Sequence, residues 1–320
     1  MFQKPFPEIL DGRFFRSIDA LPDALRGGVV AVGNFDGVHL GHALLVRRLR
    51  ALAEKVGGPT LIFTFDPHPV ALLRPDAAPV PLASTERNAE ILLEMDVDGV
   101  LAYPTDRDLL DIEPRLFFDL ILLEKLKARG IVEGSNFRFG RNRAGTVELM
   151  GNWAEELLLP IEIVDPLQID GQTISSTVIR RLIGQGEVAE AAELLDRPHR
   201  INGIVVKDEQ RGTQIGFPTA NLAGIETILP AEGIYAAWAE TDDGRRFPAA
   251  VSIGPNPTFG QDREKVEAHL LDFMEDIYGR TLQLDFIERI RPMERYDSVE
   301  DLVSQLHDDI AMVRRITKMS

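Results

Sequence analysis

The first half of the chain alternates short apolar runs with segments in which apolar residues recur every three or four positions. The runs are typical of buried β-strands and lie at 28–33, 60–65, 99–103, 131–134 and 160–164. The amphipathic segments predict helices at 43–57, 86–95, 114–130 and near 146–158. Continuous apolar strands separated by helices predict an α/β fold, a doubly wound parallel sheet with helices covering both of its faces.

After about residue 195 the pattern changes to short strands without intervening helices. Two strands are predicted around an Asp-Asp-Gly turn within 233–253, and two more at 266–273 and 281–290. A closing helix is predicted to start near Ser298, with Asp301 at capping-box spacing. This pattern predicts a small antiparallel β-barrel with a terminal helix. We place the domain boundary after residue 185, which gives domains 1–185 and 186–320.

Composition narrows the class of function. The 320 residues are 44% hydrophobic and include no cysteine, which excludes disulfides and thiolate chemistry. The sequence has neither an apolar run long enough to span a membrane nor a secretory signal pattern. A net charge of −16 argues against nucleic acid as a partner but permits small anions. We expect a cytoplasmic enzyme of small molecules, without nucleic-acid or membrane partners, and a monomer or weak oligomer.

The stretch GNFDGVHLGH (33–42) follows the first strand and opens the first helix. Ligands bind in α/β sheets beyond the carboxyl ends of strands, and a helix start attracts phosphate. Spacing equally allows a metal site formed by Asp36, His39 and His42, or ordinary capping and packing. These residues alone leave the three interpretations open.

Three companion motifs follow in the same half: FTFDPHP (63–69), GSNFRFG (134–140) and ISSTVIR (174–180). H-x-G-H after a first strand resembles the nucleotidylyltransferase signature, and the order of the four motifs resembles prokaryotic FMN adenylyltransferases. The resemblance implies that the histidines serve phosphate rather than a metal.

The resemblance also implies roles for individual residues. His39, His42 and Arg180 are expected to stabilise the transition state and the leaving pyrophosphate. The residues expected to bind nucleotide or flavin are Gly33, Asn34, Phe35, Asp36, Gly37, Asp66, His68, Asn136, Ser175, Ser176 and Thr177. Phe63 and Phe65 fit the core as well as they fit a flavin contact.

A second dense motif is RGTQIGFPTANL (211–222), followed by GIYA (233–236), IGPNPTFG (253–260) and VEAHLLDF (266–273). Together these resemble riboflavin kinase. The resemblance implies that Glu267 is the general base and that Thr219 and Asn221 hold Mg²⁺. ATP is expected to contact the motif's remaining positions, Arg211, Gly212, Gly216 and Pro218. Without the resemblance, Glu267 is an ordinary solvent-facing strand residue.

Four positions depart from the usual kinase pattern. Asp208 stands where glycine is common and Thr213 where a basic residue is common, while Asp196 and His199 replace a glycine and an aromatic residue. The resemblance implies a bifunctional enzyme that uses ATP to make FMN from riboflavin and then FAD from FMN. The alternatives are an FAD synthetase with a weak or inactive kinase half, and a flavin- or nucleotide-sensing module without turnover.

Overall fold

The structure is a computed structural model that describes residue 10 and residues 12–207, 216–256 and 261–319. The described residues form two compact units. The sheet unit comprises Met1–Pro79 and Ser84–Ser175, and the barrel unit comprises Val80–Ala83 and Ser176–Ser320. The predicted boundary after residue 185 stays a prediction, whereas the packing divides the chain ten residues earlier.

The sheet unit is built on a six-stranded parallel sheet in the order β1-β4-β3-β2-β5-β8. Its strands are β1 (Phe14–Phe15), β2 (Val29–Val32), β3 (Thr60–Asp66), β4 (Gly99–Pro104), β5 (Gly130–Gly134) and β8 (Ile161–Val164). Two small antiparallel pairs accompany it: β6 (Arg138–Phe139) with β7 (Gly145–Thr146), and β9 (Gln168–Ile169) with β10 (Gln172–Thr173). The strand order reverses between β2 and β5, which makes this the topological switch point of the sheet.

Among the described residues, this unit has six α-helical segments: α1 (Leu40–Val56), α2 (Pro69–Leu73), α3 (Thr85–Glu94), α4 (Arg107–Leu110), α5 (Pro114–Leu116) and α6 (Val147–Glu156). Short 3₁₀ turns lie at Ile18–Ala20, Asp23–Leu25, Pro75–Ala77 and Arg141–Arg143. No helix among the described residues combines the length and apolarity needed to cross a bilayer.

Alternation along the strands sends successive side chains to opposite faces of the sheet. Val30 and Val32 of β2 join one hydrophobic cluster, while Val29 and Ala31 join the other. All four residues of β2 are buried. Burial on both faces explains why these strands are continuously apolar in sequence, and the predicted fold class is confirmed.

One predicted helix differs in type. The segment predicted at 114–130 is α5 followed by a π-helical stretch, Phe117–Lys125. Its wider turn is closed by the Leu126 N–H, which donates to Ile121 O at 3.0 Å. Phe117, Phe118, Ile121 and Leu122 of this stretch are buried.

The barrel unit contains a closed antiparallel barrel in the order β11-β12-β15-β14-β13-β16. Its strands are β11 (His199–Val206), β12 (Ala220–Ala223), β13 (Gly233–Thr241), β14 (Arg246–Asn256), β15 (Gln261–Leu270) and β16 (Thr281–Arg291). Its helices are α7 (Ser176–Gln185), α8 (Val188–Leu195) and α9 (Val299–Met319). The predicted barrel is confirmed, although the pattern missed β11 and β12.

Two of the departures noted in the sequence have local structural reasons. Asp196 ends α8 in the left-handed conformation, with φ 59°, where glycine is the residue without steric cost. His199 is buried in β11, and its Nε2 lies 2.8 Å from Ile228 O. Desolvation by burial lowers the pKa of His199 from 6.5 to about 4, so this histidine is a neutral core aromatic.

The terminal helix α9 starts and docks as its sequence requires. Ser298 Oγ accepts a hydrogen bond from the Asp301 N–H at 3.1 Å, which confirms the predicted cap. Arg291 of β16 donates to both carboxylate oxygens of Asp309, at 2.9 and 2.7 Å. Asp309 is 2% exposed, so this ion pair is removed from water. A second bidentate pair, Arg314 with Asp272, is exposed.

We expect Asp309→Ala to lower the free energy of unfolding of the barrel unit by about 3 kcal/mol, because it leaves the partly buried Arg291 without its counter-charge. Arg314→Ala is the control at the exposed pair and is expected to cost less than about 1 kcal/mol, because an exposed pair contributes little. Denaturant unfolding of both variants measures the difference, and equal losses would contradict the assignment.

The His199 environment predicts a pH dependence. Its pKa falls from 6.5 unfolded to about 4 folded, so the neutral form contributes stability above pH 6.5 that is lost as pH falls toward 4. We expect wild type to lose about 3 kcal/mol relative to His199→Phe between these pH values. Urea unfolding of both proteins across the pH series tests this, and a constant difference between them would refute it.

Candidate active sites

The carboxyl ends of β2, β3 and β5 lie at one edge of the sheet because these strands are parallel. The predicted site segments 33–42, 66–68 and 134–136 begin at those ends. Open α/β sheets bind ligands at this edge, beside the switch point. The fold therefore brings three predicted segments of the sheet unit to one side.

The loop after β2 is held in a strained conformation. Phe35 and Val38 have φ of 34° and 36°, which is unfavourable for residues with large side chains. Both side chains are buried in the core, and this packing supports the strain. Gly37 has a φ of 79°, and its N–H donates to Asn88 Oδ1 of α3 at 2.9 Å. Asn88 is buried, and sequence analysis did not identify it.

The two histidines form a stacked pair at the start of α1. Their ring centroids are 3.8 Å apart with an interplanar angle of 14°. His39 is the N-cap residue, and its Nδ1 accepts the His42 N–H at 3.4 Å. A Cβ on Gly41 would lie 3.1 Å from the His39 ring, so glycine permits this packing. Because Nδ1 accepts, the proton of neutral His39 resides on Nε2.

No group of three or more His, Cys, Asp or Glu side chains among the described residues is arranged to hold a metal ion. A helix start with oriented N–H groups and two imidazoles is instead suited to phosphate oxygens.

Asp66 and His68 stand at the end of β3 with local partners. Asp66 forms an ion pair with Arg16, which also contacts Glu86 at 2.6 Å. His68 Nδ1 accepts the Val70 N–H at 3.1 Å and caps α2. Phe63 belongs to the core, while Phe65 is partly buried against it. Of the two alternatives for Phe63, core residue or flavin contact, the structure therefore favours the core residue.

Asn136 lies in the turn after β5. The Phe137 N–H donates to Gly134 O at 2.9 Å and closes that turn. A Cβ on Gly134 would lie 3.3 Å from Asn136 Oδ1, so the turn holds the amide against the strand end.

Glu133 is a buried acid that sequence analysis missed. Its Oε1 accepts the Val32 N–H at 2.7 Å, and the residue is 1% exposed. Its Oε2 is buried without a hydrogen-bond partner among the described residues. Burial raises the pKa of Glu133 well above its usual value, while the hydrogen bond from the Val32 N–H acts in the opposite direction. The signal in the sequence was an acid inside the otherwise apolar strand 130–134.

The ISSTVIR segment divides between the units. Ser175 ends the sheet unit, whereas Ser176, Thr177 and Arg180 lie in α7 of the barrel unit. Within that unit, Arg180 Nε donates to Val80 O at 2.8 Å. Joint action of these residues with the histidine pair stays a prediction.

The barrel places two predicted kinase residues opposite each other. Asn221 of β12 pairs in register with Glu267 of β15. The neighbours of Glu267, Val266 and Ala268, are buried in the barrel core, so Glu267 lies on the outer face. Ser252 of β14 is the register partner of Glu267 on the other side. Thr219 lies one residue before β12.

A cavity of about 350 Å³ adjoins this face. Its lining includes Asn221 and two lysines, Lys207 and Lys265. The apolar residues Val206, Ile225 and Leu229 also line it. The Lys207 Nζ lies 5.5 Å from the Tyr278 ring centroid, a cation–π contact. In a chain of net charge −16, two cations at one cavity favour an anionic ligand.

The loop before β12 is fixed by aromatic contacts. His269 Nδ1 lies 2.8 Å from Pro218 O, and because a carbonyl only accepts, this nitrogen carries the proton. The buried Phe217 ring contacts His269 and His307, with centroids 5.8 and 5.1 Å apart. Gly216 precedes it with φ 91°. Arg211, Gly212, Asp208 and Thr213 lie outside the described residues.

Comparisons with known proteins match the two halves separately. The family model described as FAD synthetase matches residues 21–178, and the model described as riboflavin kinase matches residues 195–317. The bifunctional riboflavin kinase/FMN adenylyltransferase of Pseudomonas fluorescens is 32% identical over 306 residues, covering 95% of this chain and 98% of that protein. Its counterpart in Escherichia coli K12 is 33% identical over 298 residues, covering 93% and 95%.

A solved structure shares the fold over most of the chain. It is described as a macrolide-efflux protein from Streptococcus pneumoniae, with 31% identity and a TM-score of 0.80 over 90% of this chain and 94% of that one. That description concerns the Streptococcus protein. Taken with the two family models and the curated relatives, the chain belongs to the bifunctional riboflavin kinase/FMN adenylyltransferase family.

Proposed function

We propose that the barrel unit phosphorylates riboflavin with ATP to give FMN, and that the sheet unit transfers an adenylyl group from a second ATP to FMN to give FAD. The observation that carries this is the presence of both family domains in one chain, and the stacked His39–His42 pair and the Asn221–Glu267 register pair support it. The proposed cytoplasmic location, and a monomer or weak oligomer, fit small soluble substrates.

In the kinase step, Glu267 takes the proton of the riboflavin 5′-hydroxyl. The hydroxyl oxygen bonds to the γ-phosphorus of ATP while the bridging bond to the β-phosphate breaks and ADP leaves. The position of Glu267 on the outer face, beside Asn221, supports this assignment. Lys207 and Lys265 supply positive charge at the adjoining cavity.

The oxygen donors Thr219 and Asn221 suit Mg²⁺, which prefers hydroxyl, amide and phosphate oxygens. When bound, Mg²⁺ neutralises phosphate charge. We propose that these two side chains hold the ion together with the ATP phosphates, and that chelation by EDTA suppresses FMN formation until Mg²⁺ is restored.

In the adenylyl step, a phosphate oxygen of FMN attacks the α-phosphorus of ATP and pyrophosphate leaves. The protein needs to orient the reactants and offset charge rather than form a covalent bond. The stacked His39–His42 pair at the start of α1 supports a role at the phosphates. We propose that Ser175, Ser176, Thr177 and Arg180 contribute further phosphate contacts, with Gly33, Asn34, Phe35, Asp36, Gly37, Asp66, His68 and Asn136 around nucleotide and flavin.

Paired variants test the two assignments in one chain. We expect His42→Ala to lower FAD formation from FMN by at least about 100-fold and to leave FMN formation from riboflavin within about twofold, because a lost transition-state contact costs several kcal/mol. Glu267→Gln is expected to do the reverse, because the amide cannot accept the proton. Product quantification by chromatography checks both. In each variant, the activity that is expected to persist serves as the control for intact protein.

A time course with riboflavin, ATP and Mg²⁺ tests the bifunctional assignment as a whole. FMN is expected first and FAD later, with ADP and pyrophosphate as the second products. If no FMN formed while supplied FMN still became FAD, the kinase half would be inactive. Binding of flavin and ATP without any product would favour the sensing module.

A further inference from the structure

Glu133 and Val32 meet where β2 and β5 part. The pairing of β2 with β5 includes Val29–Gly130 and Val30–Ile131 and then ends. On its other side β2 stays paired with β3 through Val32 and Phe63, and the Gly33 N–H donates to Phe63 O at 3.0 Å. The sheet therefore opens on one side of β2, at the switch point.

The opening leaves a buried peptide donor that needs an acceptor. Val32 is buried, and an unsatisfied buried N–H is costly. The acceptor is a side chain rather than a peptide carbonyl, since Glu133 Oε1 lies 2.7 Å from Val32 N. This hydrogen bond spans the gap between the two strands.

The contact lies directly before the strained loop. Gly33 follows Val32, and Phe35 and Val38 with their positive φ follow within six residues. On the β5 side, Gly134 and the Asn136 turn follow Glu133. Because the strand ends carry both loops, the width of the gap between β2 and β5 sets the distance between them.

We propose that Glu133 is a positioning residue of the adenylyl-transfer site, whose carboxyl oxygen fixes the separation of β2 and β5 and so places the loop that carries His39 and His42. This inference rests on the proposed function of the sheet unit. The carboxyl serves as the acceptor from within the sheet, since Glu133 is buried and its Oε2 has no hydrogen-bond partner among the described residues.

The test compares variants that keep or remove the acceptor. Glu133→Gln keeps an oxygen that accepts the Val32 N–H, while Glu133→Met keeps the length and volume of the side chain without an acceptor. We expect E133M to raise KM for ATP in FAD formation by at least about tenfold, because small misplacement of a site loop is expensive. E133Q is expected to restore KM to within about twofold of wild type.

A matched control exists at the other end of the strands of the same sheet, where their amino ends lie. Asp98 Oδ2 accepts the Thr60 N–H at 2.8 Å and the Thr60 hydroxyl at 2.8 Å, at the amino end of β3. D98A removes a carboxylate-to-backbone contact of the same kind, away from the site. It is expected to lower the melting temperature and to leave KM for ATP unchanged.

Two further measurements separate positioning from stability. Loss of folded protein lowers apparent kcat without changing KM, and riboflavin kinase activity of the same sample serves as a check on intact chain. Hydrogen exchange at the Val32 amide is expected to be slow in wild type and E133Q and at least about tenfold faster in E133M.

Unchanged KM and kcat for FAD formation in E133M would overturn the proposal, as would an E133Q variant as impaired as E133M. Failure of both E133M and Glu133→Val to fold would also overturn it, because the contact would then act on folding rather than on the loop. The His42→Ala variant is the separate arm. If it left FAD formation intact, the histidine site itself would be misassigned, whatever the result at Glu133.

Discussion

Burial of both faces of the parallel sheet is the constraint on which the first site depends. With each face of β2 and β3 covered by a hydrophobic cluster, polar chemistry has to lie where the strands end. Because the strand order reverses between β2 and β5, a space is left between the carboxyl ends of these two strands. The histidine loop begins there, and its strained residues Phe35 and Val38 keep their conformation because one of these two clusters buries their side chains.

In the barrel, the polar residues lie on the outer face of the strands rather than at the strand ends. Its interior is filled by alternate residues of each strand, including Val266 and Ala268 of β15. The residues between them face outward, and Glu267 is one of these. Antiparallel register then brings Asn221 and Ser252 to either side of Glu267, so the alternation of side chains separates the packed residues from this polar group.

Several buried polar groups join elements that are distant along the chain. Asp309 ties the terminal helix to β16 through Arg291, and Glu133 joins two strands that no longer pair. His199 instead belongs to the packed core, because burial keeps it uncharged and its ring packs as an aromatic side chain. Each of these groups has a specific hydrogen-bond partner, as buried polar groups require.

The sequence determined by itself the class of both halves and the order of their motifs. Apolar period and motif order are local properties, so they predicted the parallel sheet, the barrel, the helix starting at Ser298 and the family. Short or irregular elements escaped this reasoning. Strand β12 has only four residues, and the alternately buried positions of β11 include His199 and Gly203, so no apolar alternation shows in its sequence. The π-helical form of Phe117–Lys125 has no signal in the apolar spacing.

Tertiary structure alone decided which polar residues meet. Asn88 and Gly37 are 51 residues apart, and Glu133 and Val32 are 101 apart, so no local pattern pairs them. It also decided that Phe63 packs in the core and that Asp66 pairs with Arg16. The physical reason is that hydrogen bonds and ion pairs depend on distances across the sheet, which strand order sets and residue spacing along the chain does not.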